Sequence, residues 1–172
     1  MKQLYITLLA MACSLISFAQ SKGSAKLYGF KESVSVGKAP SHSIDESGAQ
    51  KNEVPRARHN LFIYLESSTS VVPTEMWIAG QKFSVRVDTV KKTPVERSNY
   101  SMPGRPKTVV LVPATKKTLL QLTPVSAKQE GQQDKLKKLI TDNELLVLYK
   151  QKGKVYYSSL KTLTALAPVA MQ

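Results

Sequence analysis

Between Lys82 and Asp88 the chain alternates residue by residue: Phe83, Val85 and Val87 are apolar, while Lys82, Ser84, Arg86 and Asp88 are polar or charged. Side chains on an extended backbone point to opposite faces in turn, so this period of two defines a strand with one dry and one wet face. The neighbouring apolar runs are as short: Leu61–Leu65, Glu75–Ile78, Thr108–Val112, Thr118–Leu122, Leu145–Tyr149 and Val155–Tyr157. Turn residues separate them. Ala79-Gly80-Gln81 and Lys152-Gly153 read as tight hairpin turns, and Pro73, Pro113 and Pro124 bound further runs.

Helical spacing is scarce. Over Asp134–Asp142, Leu136, Leu139 and Ile140 fall on one face while Lys135, Lys137 and Lys138 face water. At the end of the chain Leu160, Leu163 and Leu166 recur at spacing three, which predicts a short helix over Ser159–Ala167 capped by Ser158 or Ser159. The pattern predicts a mainly β fold, a small β-sandwich or open barrel with one or two short helices; a compact α+β domain is the alternative.

Three regions follow from composition. Residues 1–19 form a signal peptide: Lys2 supplies the positive start, Leu4 to Phe18 form an apolar run, and Ser17 and Ala19 are the small residues a signal peptidase requires before Gln20. That run is shorter than the roughly 20 apolar residues of a membrane span, so no transmembrane segment is expected in the mature chain. Residues 20–59, rich in Ser, Gly, Lys and Pro, read as a flexible basic and polar arm, of which residues 25–36 could dock as an edge strand. Residues 60–172 read as a single β-rich domain.

The single cysteine, Cys13, lies within the signal, which leaves the exported part without disulfide, thiolate or Cys-based metal chemistry. It also offers an alternative, a lipoprotein anchored through Cys13, although apolar residues continue beyond it through Ile16 and Phe18. The favoured product is periplasmic or extracellular.

Catalysis needs a positioned acid, base, nucleophile or metal. His42 and His59 both belong to the arm and read as solvated residues, as do Asp45 and Glu46 beside His42. No nucleophile elbow, phosphate loop or zinc-protease motif occurs. The expectation is a non-catalytic protein without cofactor or metal; a hydrolase would require His59, Glu66 or Asp88 to meet Trp77 in a pocket. Trp77 is expected to pack in the core against the Phe83 strand, and Tyr149, Tyr156 and Tyr157 to line a sheet face.

Charge points instead to binding. The chain carries a formal charge of +13, which attracts polyanions. Residues 91–107 hold three prolines and five cations and read as a long basic loop. Lys91, Lys92, Arg97, Arg105 and Lys107 are the candidate contacts for lipopolysaccharide or an acidic glycan, joined by Lys116, Lys117 and the helix lysines. Specific nucleic-acid binding would want aromatics among these cations, and only Tyr100 is there. Without a ligand the same residues are a solvated basic face.

The sequence Ser17-Phe18-Ala19-Gln20 resembles the export signals of Bacteroidota envelope proteins. Asp88-Thr89-Val90 resembles the Asp-Thr/Ser-aliphatic site at which that phylum O-glycosylates exported proteins. The resemblance implies a compartment, a lineage and a glycan on Thr89. The expected role is a binding or accessory module of the cell envelope, its partner another envelope protein or an anionic glycan or lipid surface.

Overall fold

The computed structural model describes residues 21–35, 43–44, 50–51, 58–98, 108–127 and 136–170. The signal, Cys13, Ala19, Gln20, Tyr100, Arg105, Lys107 and the trio His42, Asp45 and Glu46 lie outside them. Thirteen strands are present in this part: β1 (Ser21–Lys22), β2 (Lys26–Ser35), β3 (Ser43–Ile44), β4 (Gln50–Lys51), β5 (Arg58–Ser67), β6 (Val72–Ile78), β7 (Gln81–Thr89), β8 (Val95–Ser98), β9 (Thr108–Val112), β10 (Thr118–Ala127), β11 (Leu145–Gln151), β12 (Lys154–Leu160) and β13 (Thr164–Ala170). Among the described residues one helix, α1 (Lys137–Asp142), lies between β10 and β11. The protein is mainly β, as the short alternating runs predict.

Nine strands form one sheet in the order β1-β12-β11-β6-β7-β10-β5-β2-β13, curled into a half-barrel. Both predicted hairpin turns are present. Ala79 and Gly80 have φ of 48° and 82°, Lys152 and Gly153 of 49° and 75°. Two consecutive left-handed residues match the right-handed twist of the flanking strands, which is why Gly occupies the second position of each.

The two ends of the sheet belong to neighbouring pieces of chain. β1 pairs in parallel with the start of β12, Ser21 opposite Tyr156. Three residues later β2 joins β5 on the far side of the sheet, Lys26 opposite Glu66. The rest of β2 pairs in parallel with β13, Thr164 opposite Phe30. The segment 21–35 therefore spans from one edge of the curled open sheet to the other beside the segment 154–170, and the two edges meet at a seam near Gly23 and Ala25. Gly23 N–H donates to the Tyr157 carbonyl (2.9 Å), and Ser158 Oγ donates to the Ala25 carbonyl (2.8 Å).

The interior is filled by the inward residues of each strand: Leu27, Ile63, Leu65, Met76, Leu122, Leu145, Val147 and Tyr149. Two covers lie on the outer face. The helix buries Leu136 and Ile140 against Trp77, Leu146 and Leu148. The antiparallel ribbon β8–β9 covers Tyr64, Phe62, Tyr28 and Phe30 with Leu111, Val112, Val109 and Val95.

Five expectations change. Residues 91–107 are not one long loop: Val95–Ser98 and Thr108–Val112 pair as the ribbon. No helix follows Ser159; β12 continues to Leu160, Lys161–Leu163 turn, and Thr164–Ala170 is a strand. The leucine spacing there arises from a strand, a turn and a second strand meeting one core, Leu163 being buried. Residues 26–35 enter the sheet one place in from its edge, since β13 lies outside β2. Trp77 faces the helix, while its neighbour Met76 takes the inward position opposite Phe83. Val87, nominally on the dry face, is 38% exposed.

Candidate functional site

Strand direction sorts the lysines. The ends of β5 and β7, the starts of β2, β10 and β12, and the β11–β12 turn all lie at one end of the barrel, because Lys26 pairs with Glu66, Thr118 with Ser67, Leu120 with Thr89, and Lys150 with Val72. Gln151 Nε2 donates to Thr69 Oγ1 and ties the β11–β12 turn to the loop after β5. Around this end stand Lys26, Lys91, Lys92, Lys116, Lys117, Lys150, Lys152 and Lys154, all exposed. Among the described residues only Lys117 of these eight forms an ion pair, with Glu66 at 3.6 Å.

The loops that present them are fixed from below. Glu66 is buried and accepts hydrogen bonds from the Tyr28 hydroxyl (2.7 Å) and the Thr115 hydroxyl (2.8 Å). Thr115 N–H donates to Thr93 Oγ1 and Thr93 Oγ1 donates to the Thr115 carbonyl, both at 3.1 Å. This chain of contacts holds Lys91-Lys92 beside Lys116-Lys117. The Tyr28 hydrogen bond holds the Glu66 carboxyl below the usual carboxylate range; burial pushes it up, and Thr115, Lys117 and Lys26 add to the lowering. Burial, then the Glu66 hydrogen bond, raises the Tyr28 phenol. Lys26 Nζ lies 4.7 Å from the Tyr28 ring centroid.

Arg97 stands apart from this group. Its Nε and Nη2 donate to the two oxygens of Glu32 at 2.7 and 2.6 Å, and its guanidinium lies 4.4 Å from the Phe62 ring centroid. Glu32 is 2% exposed and also accepts from Asn60 Nδ2 (3.2 Å). A buried carboxylate requires such a partner. Arg97 thus clamps the ribbon to β2. Lys137 and Lys138 lie on the helix, which leads to the start of β11 at the opposite end. Thr89 is exposed at the end of β7, with Asp88 beside it 3.5 Å from Arg86.

The residues a hydrolase would need do not meet. His59 pairs across strands with Ser33, seven residues along β5 from Glu66 and so roughly 23 Å from it. Trp77 lies under the helix. Near Trp77's end of the barrel a groove of about 490 Å³ is lined by Ala79, Gly80, Thr141, Asp142, Glu144 and Lys161. Burial pushes the Glu144 carboxyl up, but the Leu163 N–H (2.7 Å) and Lys31 Nζ (2.9 Å) outweigh it and hold the group below the usual range. Among the described residues no cluster of His, Cys, Asp and Glu is arranged to hold a metal, and no helix is long and apolar enough to cross a membrane.

The sequence reading found Lys91, Lys92, Lys116 and Lys117 and missed Lys26, Lys150, Lys152 and Lys154. A legible signal existed for the last three, which flank or occupy the predicted Lys152-Gly153 turn. No family model, curated protein or solved structure matches this chain.

Proposed function

We propose that this chain is a non-catalytic exported binding module of the cell envelope that engages a polyanion through the lysine-bearing end of its barrel. The observation that supports this reading is the gathering of eight exposed lysines on strand ends and turns, some of which part-buried hydrogen bonds tie together. Seven strands ring this end; at about 4.8 Å between strands the rim measures roughly 34 Å around. Every lysine on it lies near a Debye length of another at physiological salt, about 8 Å, so the charges act on one ligand. Export rests on the first twenty residues, and the basic surface suits an anionic glycan or lipid partner there.

Retention on immobilised heparin is the test. The full chain is expected to bind, to elute earlier as salt rises, and to lose most retention when Lys91, Lys92, Lys116, Lys150 and Lys154 are changed together to Gln. Changing Arg97, Arg105 and Lys107 instead is expected to reduce retention less. Equal retention of the five-lysine variant and the unaltered chain overturns the reading.

A further inference from the structure

We infer that the parting of β6 from β7 is a docking cleft for an extended acidic segment of a partner protein, which adds to the sheet as a strand along Val85–Thr89. This goes beyond the polyanion reading, because it needs an open backbone edge as well as charge.

The β6–β7 hairpin is laddered only near its turn. Ile78 pairs with Gln81, Trp77 with Lys82 and Met76 with Phe83. Beyond Phe83 no residue of β7 has a β6 partner, although β6 begins at Val72 and β7 runs on to Thr89. The cause lies in β6. Its Glu75 pairs with Leu148 and its Pro73 with Tyr149, so Thr74 is an extra residue. A bulge of this kind bends its strand and ends pairing. Thr74 Oγ1 donates to the Leu148 carbonyl (3.3 Å) and fixes it.

Backbone direction shows which groups are left open. Antiparallel strands exchange hydrogen bonds at alternate residues. Val90 N–H donates to the Leu119 carbonyl (2.9 Å), so the even-numbered residues of β7 bond to β10 and the odd-numbered ones face β6. Val85, Val87 and Thr89 therefore direct N–H and C=O into the cleft, with no strand to receive them among the described residues. Such an edge is a template for another strand.

The side chains agree. Val87 lies opposite Leu122 and Thr89 opposite Leu120, so both belong to the core face. Leu122 is 1% exposed, yet Val87 is 38% exposed, for want of a neighbour on the β6 side. The other exposed valines differ in origin: Val110 faces Glu96 across the ribbon, and Val125 sits in the irregularity of β10 between Pro124 and Ala127.

Charge selects the occupant. The cleft opens at the lysine-bearing end, where Lys91 and Lys92 follow β7 and Lys150 lies opposite Val72. The acids on its walls are taken, Asp88 by Arg86 (3.5 Å) and Glu75 by Lys82 (2.9 Å). A segment entering here meets cations without acidic partners, so carboxylates on it are favoured. Strand addition supplies the main-chain bonds over the roughly 17 Å from Val85 to Thr89. Taking the place that β6 leaves, the segment runs antiparallel to β7, with its acidic N-terminal part beside Lys91 and Lys92. A glycan has no peptide ladder and does not use this edge.

Amide hydrogen exchange of the full chain, resolved by NMR, tests this with a capped peptide of alternating aspartate and valine long enough to span Val85–Thr89. In the free protein the amides of Val85, Val87 and Thr89 are expected to exchange fast, and those of Arg86, Asp88 and Val90 slowly. Saturating peptide is expected to slow the first three about tenfold or more and to leave the others unchanged. Serine in place of every aspartate is expected to weaken binding about tenfold. Val87→Pro removes a cleft-facing N–H while sparing the β10 bonds, and is expected to abolish binding with the Arg86 and Asp88 amides still slow. Slow exchange at Val85 and Val87 in the free chain overturns the inference, because the edge is then already paired. So does saturating peptide that protects none of the three. Equal binding of a peptide N-methylated along its β7-facing edge overturns it too, since charge alone then accounts for the attraction. Equal binding of the serine peptide overturns the acidic partner. In each of these cases retention on heparin leaves the polyanion reading standing. Loss of heparin retention with alternate protection intact removes that reading and keeps this one.

Discussion

Glu66 shows how much one side chain organises. The run Leu61–Leu65 is legible as a strand, and the acid at its end reads as a solvated charge. In the fold that acid is 7% exposed, and Tyr28 from one segment and Thr115 and Lys117 from another converge on it. No sequence pattern announces such a meeting, because its members are 38 and 49 residues away along the chain. Its consequence is measurable. A carboxylate held below its ordinary pKa in the fold contributes stability that is fully present above the unfolded-state value, about 4.3, and disappears as pH falls through the folded value. Glu144 is lowered as well. The melting temperature is therefore expected to fall below about pH 4.5. Glu66→Gln should lower it at neutral pH and make that acid slope shallower. An unchanged slope would place the acid sensitivity elsewhere.

At the scale of elements, legibility followed locality. The two hairpins were readable because turn and strands are contiguous, and a glycine at the second turn position names the backbone geometry. The ribbon β8–β9 was not, since Pro94, Pro103 and Pro106 give its surroundings the composition of a loop. What makes Val95–Ser98 a strand is the surface beneath it: Phe62 and Tyr64 need a cover, and Arg97 reaches Glu32. The last strand was misread for a related reason, because leucines at spacing three fit a helix unless β2 is already there to pair with. The hairpins give a sharp test of local against tertiary control. Ala79 holds φ of 48° without being glycine, a conformation that costs about 1 kcal/mol for an L side chain and that Asn tolerates better. Ala79→Asn is expected to stabilise the fold by about 0.5 kcal/mol, raising the denaturant midpoint. Gly80→Ala meets no atom within 4 Å, so its expected loss of about 1 kcal/mol is backbone strain alone. A neutral Gly80→Ala would contradict the turn geometry.

For the whole molecule the decisive contact is the seam, and it also sets the orientation of the candidate site. The described chain starts on one edge of the sheet and, with three residues between β1 and β2, crosses to the other, so the bridging of the two edges and the placing of β13 are one structural fact. A polar, glycine-containing segment is a poor advertisement for such a role, which is why residues 21–25 read as part of an arm. Glycine is the reason it works. A Cβ at position 23 would lie 1.6 Å from the Tyr149 hydroxyl oxygen and 2.6 Å from the carbon that bears it. Tyr149 has no room to retreat: it is fully buried, its ring is stacked on Tyr156 with centroids 6.1 Å apart, and its oxygen accepts from Ala25 N–H at 3.3 Å. Gly23→Ala must therefore shift either the tyrosine or the segment, and overpacking of this kind costs about 2 kcal/mol. In a chain of this length that corresponds to a fall in melting temperature of about 6 °C. Tyr149→Phe removes the closer of the two atoms, so the double variant Gly23→Ala/Tyr149→Phe is expected to be less destabilised than the sum of the single changes. Strict additivity would mean that a Cβ at position 23 and the Tyr149 hydroxyl do not compete for one space.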